Sequence, residues 1–208
     1  MPEVVAVADC LAGYMPQLEA LEAHVAEVDA AEPPARLRLI GSGVGAYVAA
    51  LYASRHTDRV DSLFLLSPAF KPSTALRALA GGEAGLAVWE GSGKHALSGV
   101  PIPAEVPFSW YEEARSLPPH PFVTCEAYTI FGMKDDVASY DEALAFNREG
   151  SEEMRTLANK DAGPCNERKM LEVNDGHGLE LAITSEQRMV EIKLLEFFDL
   201  LLADDLQT

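Results

Sequence analysis

The chain is short of positive charge and of cysteine, and it has no long apolar run. Its 208 residues hold 16 Lys and Arg against 33 Asp and Glu, a net charge of −17. That balance argues against a nucleic-acid partner, which needs a basic face, and disfavours an anionic membrane surface. The 3 cysteines, Cys10, Cys125 and Cys165, are odd in number and show no CxxC spacing. They read as reduced thiols rather than a disulfide framework. No Cys/His pair stands at zinc spacing, so no metal is expected. The chain opens Met1-Pro2-Glu3, acidic rather than basic, and the apolar stretch that follows is too short for a signal peptide or a membrane span. A soluble, cytoplasmic protein is expected. Nothing in the composition fixes an oligomeric state.

What is present suits a packed α/β domain. Apolar residues make up 48% of the chain and charged residues 24%, enough for a full core in one domain over residues 1–208. Val4 to Ala8 reads as a buried strand. Leu18, Leu21, Val25 and Val28 recur at helical spacing, and Glu32-Pro33-Pro34 ends that helix. Leu37 to Ile40 is a second strand, and Val44, Tyr47, Val48, Leu51 and Tyr52 form a helix stripe. Val60 to Leu66 is a third strand, closed by Ser67-Pro68. Strand, helix, strand, helix, strand implies parallel pairing through right-handed crossovers. The stretch from 70 to 120 is less regular, with short helices at Ala75–Ala80 and Glu83–Trp89 and a Gly/Pro-rich hairpin or lid at Gly91–Pro107. Regular order returns with a strand over Phe122–Phe131. Ser139 and Glu142 make a capping box for a helix that Gly150 suits as an end. A polar excursion covers residues 151–166, and the last strand is Lys169–Val173. Thr184 and Gln187 cap a final helix whose apolar face includes Met189, Ile192, Leu195, Phe198 and Leu202.

Three loops follow predicted strand ends, where open α/β sheets bind ligands. They are Gly41–Gly45, Gly132–Val137 and Asn174–Leu179. The first has two readings. As Gly41-x-Gly43-x-x-Ala46 it matches a dinucleotide fingerprint, but the next strand ends in Leu65-Leu66-Ser67-Pro68, without the acid that would take the ribose hydroxyls. As G-x-S-x-G it matches a nucleophile elbow with Gly41 and Gly45 as flanking glycines and Gly43 where the serine belongs.

The other loops bear on that choice. Phe131-Gly132-Met133-Lys134-Asp135-Asp136-Val137 and Asp175-Gly176-His177-Gly178-Leu179 follow the elbow in the order elbow, acid, histidine. With "RLRLIGSGVGAYVAALYAS" and "VPFSWYEEARSLPP", this set resembles small α/β-hydrolases of the esterase and acyl-hydrolase type over most of residues 36 to 200. The resemblance implies a mostly parallel sheet flanked by helices, in an N-terminally reduced α/β-hydrolase fold. It puts Gly43 at the nucleophile position, Asp135 at the acid and His177 at the base, with Val44 N–H as an oxyanion donor. Spacing alone does not choose between Asp135 and Asp136; the family pattern selects the first. Taken singly, Asp135 would be a turn acid and His177 a surface histidine.

Two departures stand out. Gly43 has no side chain to attack a carbonyl. Ser42, the neighbouring hydroxyl, has bulky Ile40 and Val44 at its −2 and +2 positions, which makes it a poor substitute nucleophile. Only one strand precedes the elbow strand, and no His-Gly loop follows it; Cys10-Leu11-Ala12-Gly13 is the nearby substitute for the second oxyanion donor. That implies either a shortened family member or a chain that begins late in its gene. Phe108, Trp110 and Tyr111 are packing residues or, by the resemblance, neighbours of an acyl pocket. The functional expectations are an ester or acyl hydrolase with an atypical mechanism, an inactive pseudohydrolase that binds an acyl-type small molecule or a partner, and, third, a dinucleotide binder at Gly41–Ala46. No cofactor is expected under the first two.

Overall fold

A computed structural model of the chain describes residues 3–7, 13–31, 36–97, 105–157, 168–179, 182–183 and 188–198. Its main sheet has five strands, β1 (Glu3–Val7), β2 (Leu37–Ser42), β3 (Val60–Leu66), β6 (Glu126–Gly132) and β7 (Arg168–Val173), in the spatial order β1-β2-β3-β6-β7. Every pairing is parallel. A small antiparallel pair, β4 (Lys94–His95) and β5 (Val106–Pro107), lies outside it. The helices are α1 (Tyr14–Ala31), α2 (Val44–Arg55), α3 (Pro72–Leu79), α4 (Gly82–Ser92), α5 (Ser109–Ser116), α6 (Tyr140–Leu157) and α7 (Met189–Phe197). Among the described residues, no helix is long and apolar enough to cross a membrane.

Strand alternation divides the core in two. Leu37, Leu39, Leu63, Leu65, Ala127 and Phe131 pack with α1, α2 and α6 on one side. Ile40, Phe64, Leu66, Tyr128, Ile130, Leu171 and Val173 pack with α7 on the other. Both faces of β3 and β6 are therefore covered, which is why these strands read as near-continuous apolar runs. Helix α2 is buried from Gly45 through Ala53, because it lies between the sheet and α1. A stripe was the expectation; enclosure on most sides explains why Ala46, Ala49, Ala50 and Ala53 sit where a surface helix would carry charge.

Several expected boundaries shift. Strand β6 begins at Glu126, so Phe122 to Cys125 are irregular and Phe122 is exposed. Helix α6 runs past Gly150 to Leu157; one interior glycine costs only about 1 kcal/mol, and the strong helix formers that follow outweigh it. Glu142 does not serve a capping box. Its carboxylate is held by Lys71 Nζ at 2.8 Å and lies 3.4 Å from His120 Nε2. His120 is mostly buried, with its ring edge-on to Phe70. On α7 the packed residues are Met189, Val190, Leu194 and Phe197, followed by buried Phe198, while Ile192 points outward. Arg38 accounts for part of that rotation: its guanidinium donates to the Phe198 carbonyl and lies over the Phe198 ring, fixing which side meets the sheet. Cys10, Cys165, Leu202 and the Thr184/Gln187 cap lie outside the described residues.

Candidate active site

A parallel sheet places all its carboxyl ends along one edge, so the loops after β2, β6 and β7 meet there. The turn after β2 is tight. A Cβ on Gly41 would come 2.5 Å from the Gly45 carbonyl oxygen and 2.6 Å from Ala46 Cα. Glycine at 41 is thus what lets the start of α2 close onto its own strand. Gly43 has φ 53° and ψ −117°, outside the small left-handed well open to other residues. Its N–H donates to the Leu66 carbonyl at 2.9 Å, and its own carbonyl accepts from Ala69 at 3.0 Å and Tyr47 at 3.3 Å. The turn is pinned to the end of β3 on both sides of Gly43. This geometry also speaks against the dinucleotide reading of Gly41–Ala46, since the Gly43 N–H is directed at Leu66 and not at open space.

Val44 follows as the first residue of α2, where the backbone N–H has no intrahelical acceptor. The helix dipole adds partial positive charge at the same point. Ser42 is exposed at the end of β2 and shares strand parity with Arg38 and Ile40, which pack toward α7. Its side chain therefore leaves the strand on the α7 side of the sheet.

The second and third loops bring Asp135 and His177 together. Asp135 Oδ2 is 2.8 Å from His177 Nδ1. The Asp135 side chain is 0% exposed and that of His177 22%. The other carboxylate oxygen, Oδ1, accepts the Val137 N–H at 2.8 Å and the Ala138 N–H at 2.7 Å. A buried carboxylate would be costly alone; here it takes three hydrogen bonds, two from fixed backbone. An ionised carboxylate only accepts, so opposite one the ring donates from Nδ1, an arrangement that in the neutral imidazole leaves the Nε2 lone pair free. Asp136, the alternative by spacing, is exposed and makes no such contact.

Two residues that the sequence reading did not single out hold this pair. Asp175 is buried, with Oδ1 accepting from Gly176 N–H at 2.8 Å and Oδ2 from Ala182 N–H at 2.9 Å, which closes the histidine loop on itself. Gly132 gives the acid loop its close approach, since a Cβ there would meet the Gly176 carbonyl and lie 2.6 Å from that of Asp175. Met133 N–H to the Val173 carbonyl and Lys134 N–H to the Asp175 carbonyl, both 2.8 Å, stitch the loops together. The available signal was positional: an acid two residues before a histidine in a Gly-rich loop, and a glycine ending a strand. A third residue, Ser67, lies directly after β3 with φ 40°, fully buried, and its hydroxyl has no partner among the described residues.

Phe108, Trp110 and Tyr111 lie at α5. Trp110 is buried in the core, and Phe108 and Tyr111 pack with Trp89 at centroid distances of 5.7 and 6.2 Å. A cleft of about 200 Å³ runs beside the acid loop, lined on one side by Phe70, Thr74, Ala75 and Ala78 and on the other by residues 135–139. None of the three aromatic residues lines it. Gly13, next to the Cys10–Ala12 segment that lies outside the described residues, precedes α1 with φ 89°. Glu113 Oε1 accepts the Met15 N–H there at 2.6 Å, so this acid caps the start of α1. Among the described residues, no group of three or more His, Cys, Asp or Glu is placed to hold a metal ion.

This arrangement of sheet, turn and loops is the α/β-hydrolase fold. Est1E from Butyrivibrio proteoclasticus, solved with ferulic acid bound, superposes with a TM-score of 0.65 at 15% identity, over 90% of this chain and 68% of that one. Mouse alpha/beta hydrolase domain-containing protein 10 gives 0.61 at 14% identity, over 99% and 91%. The Pyrococcus furiosus esterase Pf2001 gives 0.56 at 13%, over 91% and 65%. No protein-family model matches the chain, and no curated protein matches it. At these identities the likeness is one of fold.

Proposed function

We propose that the chain is an esterase-like hydrolase of low turnover that works without a serine nucleophile. His177, oriented by Asp135, accepts a proton from water through Nε2, and the water attacks the carbonyl carbon of an ester or related acyl bond. The tetrahedral oxyanion forms near the start of α2, where Val44 N–H and the helix dipole favour negative charge. The proton held on His177 passes to the leaving alkoxide, giving acid and alcohol. Gly43 occupies the nucleophile position and contributes the turn alone. A site without its nucleophile retains about 10³–10⁴-fold acceleration over water in serine hydrolases, and turnover of that order is expected here.

The observation that carries this reading is the Asp135–His177 hydrogen bond, with Asp135 buried and doubly anchored to backbone. Gly43 favours a second reading, a pseudohydrolase that keeps the site to bind an acyl-type small molecule or a partner. Hydrolysis of short- and medium-chain p-nitrophenyl esters separates the two. Slow turnover by the chain that His177→Ala removes supports the hydrolase. No turnover above the His177→Ala background supports the binding module.

A further inference from the structure

The cleft beside the acid loop has an uneven wall. Phe70, Ala75, Ala78, Val137 and Ala138 make its lining mostly apolar, with Thr74 and Ser139 beside them. Its volume, about 200 Å³, exceeds a 150 Å³ cavity that accepts benzene, so it fits a group of a few carbons and not a long chain. It adjoins the site at two points. Asp135, one of its lining residues, hydrogen-bonds His177, and Phe70 follows Ala69, whose N–H holds the Gly43 carbonyl.

The charge on this wall is of one sign. Asp135 is committed to His177 and backbone. Asp136, next along the lining, is exposed and has no hydrogen bond or ion pair among the described residues. The cation near the start of α3, Lys71, is taken by Glu142, and Arg77 on α3 by Glu83. Lys134 is exposed but does not line the cleft. The start of α6 adjoins Ser139, but Asp141 and Glu142 in its first turn offset the positive end of its dipole. A small apolar cleft with an uncommitted carboxylate at its side complements a compact organic cation.

We propose that this cleft selects small substrates carrying an ammonium group, with Asp136 as the residue that recognises the charge. The proposal deepens the hydrolase reading and rests on it for the word substrate, but the binding stands or falls alone. Because Asp136 is exposed, its attraction is partly screened, and a preference of about fivefold over a neutral group of the same shape is expected.

The probes are choline and 3,3-dimethylbutan-1-ol, its uncharged carbon isostere, titrated calorimetrically into the full chain. Choline binding about fivefold tighter, with the preference abolished by Asp136→Asn and reduced by salt, supports the assignment. Ala78→Trp, which puts an indole at the exposed rim of the cleft, should weaken both probes. Equal or tighter binding of the alcohol, a preference that survives Asp136→Asn, or binding indifferent to Ala78→Trp would each overturn it. His177→Ala separates this outcome from the hydrolase reading. Charge selectivity retained in that variant alongside a lack of ester turnover by the parent leaves the cleft assigned and removes the hydrolase.

Discussion

Asp135 faces His177 with one oxygen and the Val137 and Ala138 backbone with the other. The carboxylate cannot rotate to serve the imidazole better without losing two N–H donors. The ring position is therefore fixed by main chain, through a single side chain. Asp135→Asn keeps the shape but can present an N–H to Nδ1, favouring the wrong tautomer. In serine triads that change costs about 10⁴-fold in kcat. Ester turnover should fall to the His177→Ala background, and the folded state should lose about 1–3 kcal/mol, read by urea denaturation. Turnover unchanged in Asp135→Asn would remove this carboxylate from the mechanism.

Gly43→Ser tests the turn. Serine at φ 53°, ψ −117° carries strain of about 1–3 kcal/mol, so the midpoint of unfolding should drop. Activity toward p-nitrophenyl esters should rise, and the gain should vanish when His177→Ala is added. A gain independent of His177 would mean that the elbow and the imidazole are out of register.

Gly132→Ala tests the packing of the two loops. The added methyl would press on the Asp175 and Gly176 carbonyls, and backbone gives way only by moving a loop. A destabilisation of about 1–3 kcal/mol is expected. So is a shifted His177 ring signal in NMR spectra, because the displaced loop carries that residue. A wild-type ring signal in a stably folded variant would show that the contact does not position the histidine.

Cys125 should be inert in the native state. It is buried, and loss of solvation pushes its thiol up to about 12, with Arg168 and Arg36 only partly offsetting that. Peptide-level mass spectrometry after iodoacetamide at pH 8 should find Cys125 unmodified until the chain unfolds. The same shift affects stability in alkali. The unfolded thiol loses its proton near its ordinary value of 9.0, while the folded one holds it to higher pH. The unfolded state then binds fewer protons, and this group's contribution falls as pH rises between those two values. Native-state labelling of Cys125 at pH 8 would contradict its burial.

Much of this architecture was legible because it depends on short-range pattern. Val60–Leu66 is bounded as its apolar run suggests, and the order of the three loops follows from strand order alone. The pairing of Asp135 with His177 was legible only through the hydrolase resemblance, since spacing gave Asp136 equal standing. What stayed hidden depends on partners distant in sequence. The outward turn of Ile192 follows from how α7 docks under Arg38. The fate of Glu142 depends on Lys71 and His120, and that of Glu113 on the start of α1. A capping motif states what an acid is able to do, while the competing cation that claims it comes from elsewhere in the fold.

The parallel order of the sheet also has a consequence in time. A parallel neighbour is reached only through a crossover, so closing each new pair carries the entropy of a long loop. The turn at Gly43 needs only β2, α2 and β3, whereas Asp135 meets His177 across a separation of 42 residues, after β7 has docked on β6. During refolding the imidazole's paired state should emerge with the slowest phase, after the elbow has formed. A helix-rich species holding the first three strands would thus have a finished turn and no Asp135–His177 pair, and stopped-flow fluorescence set against time-resolved histidine NMR would reveal that lag. The Asp135–His177 pair is expected to be the last part of this sheet edge that folding delivers.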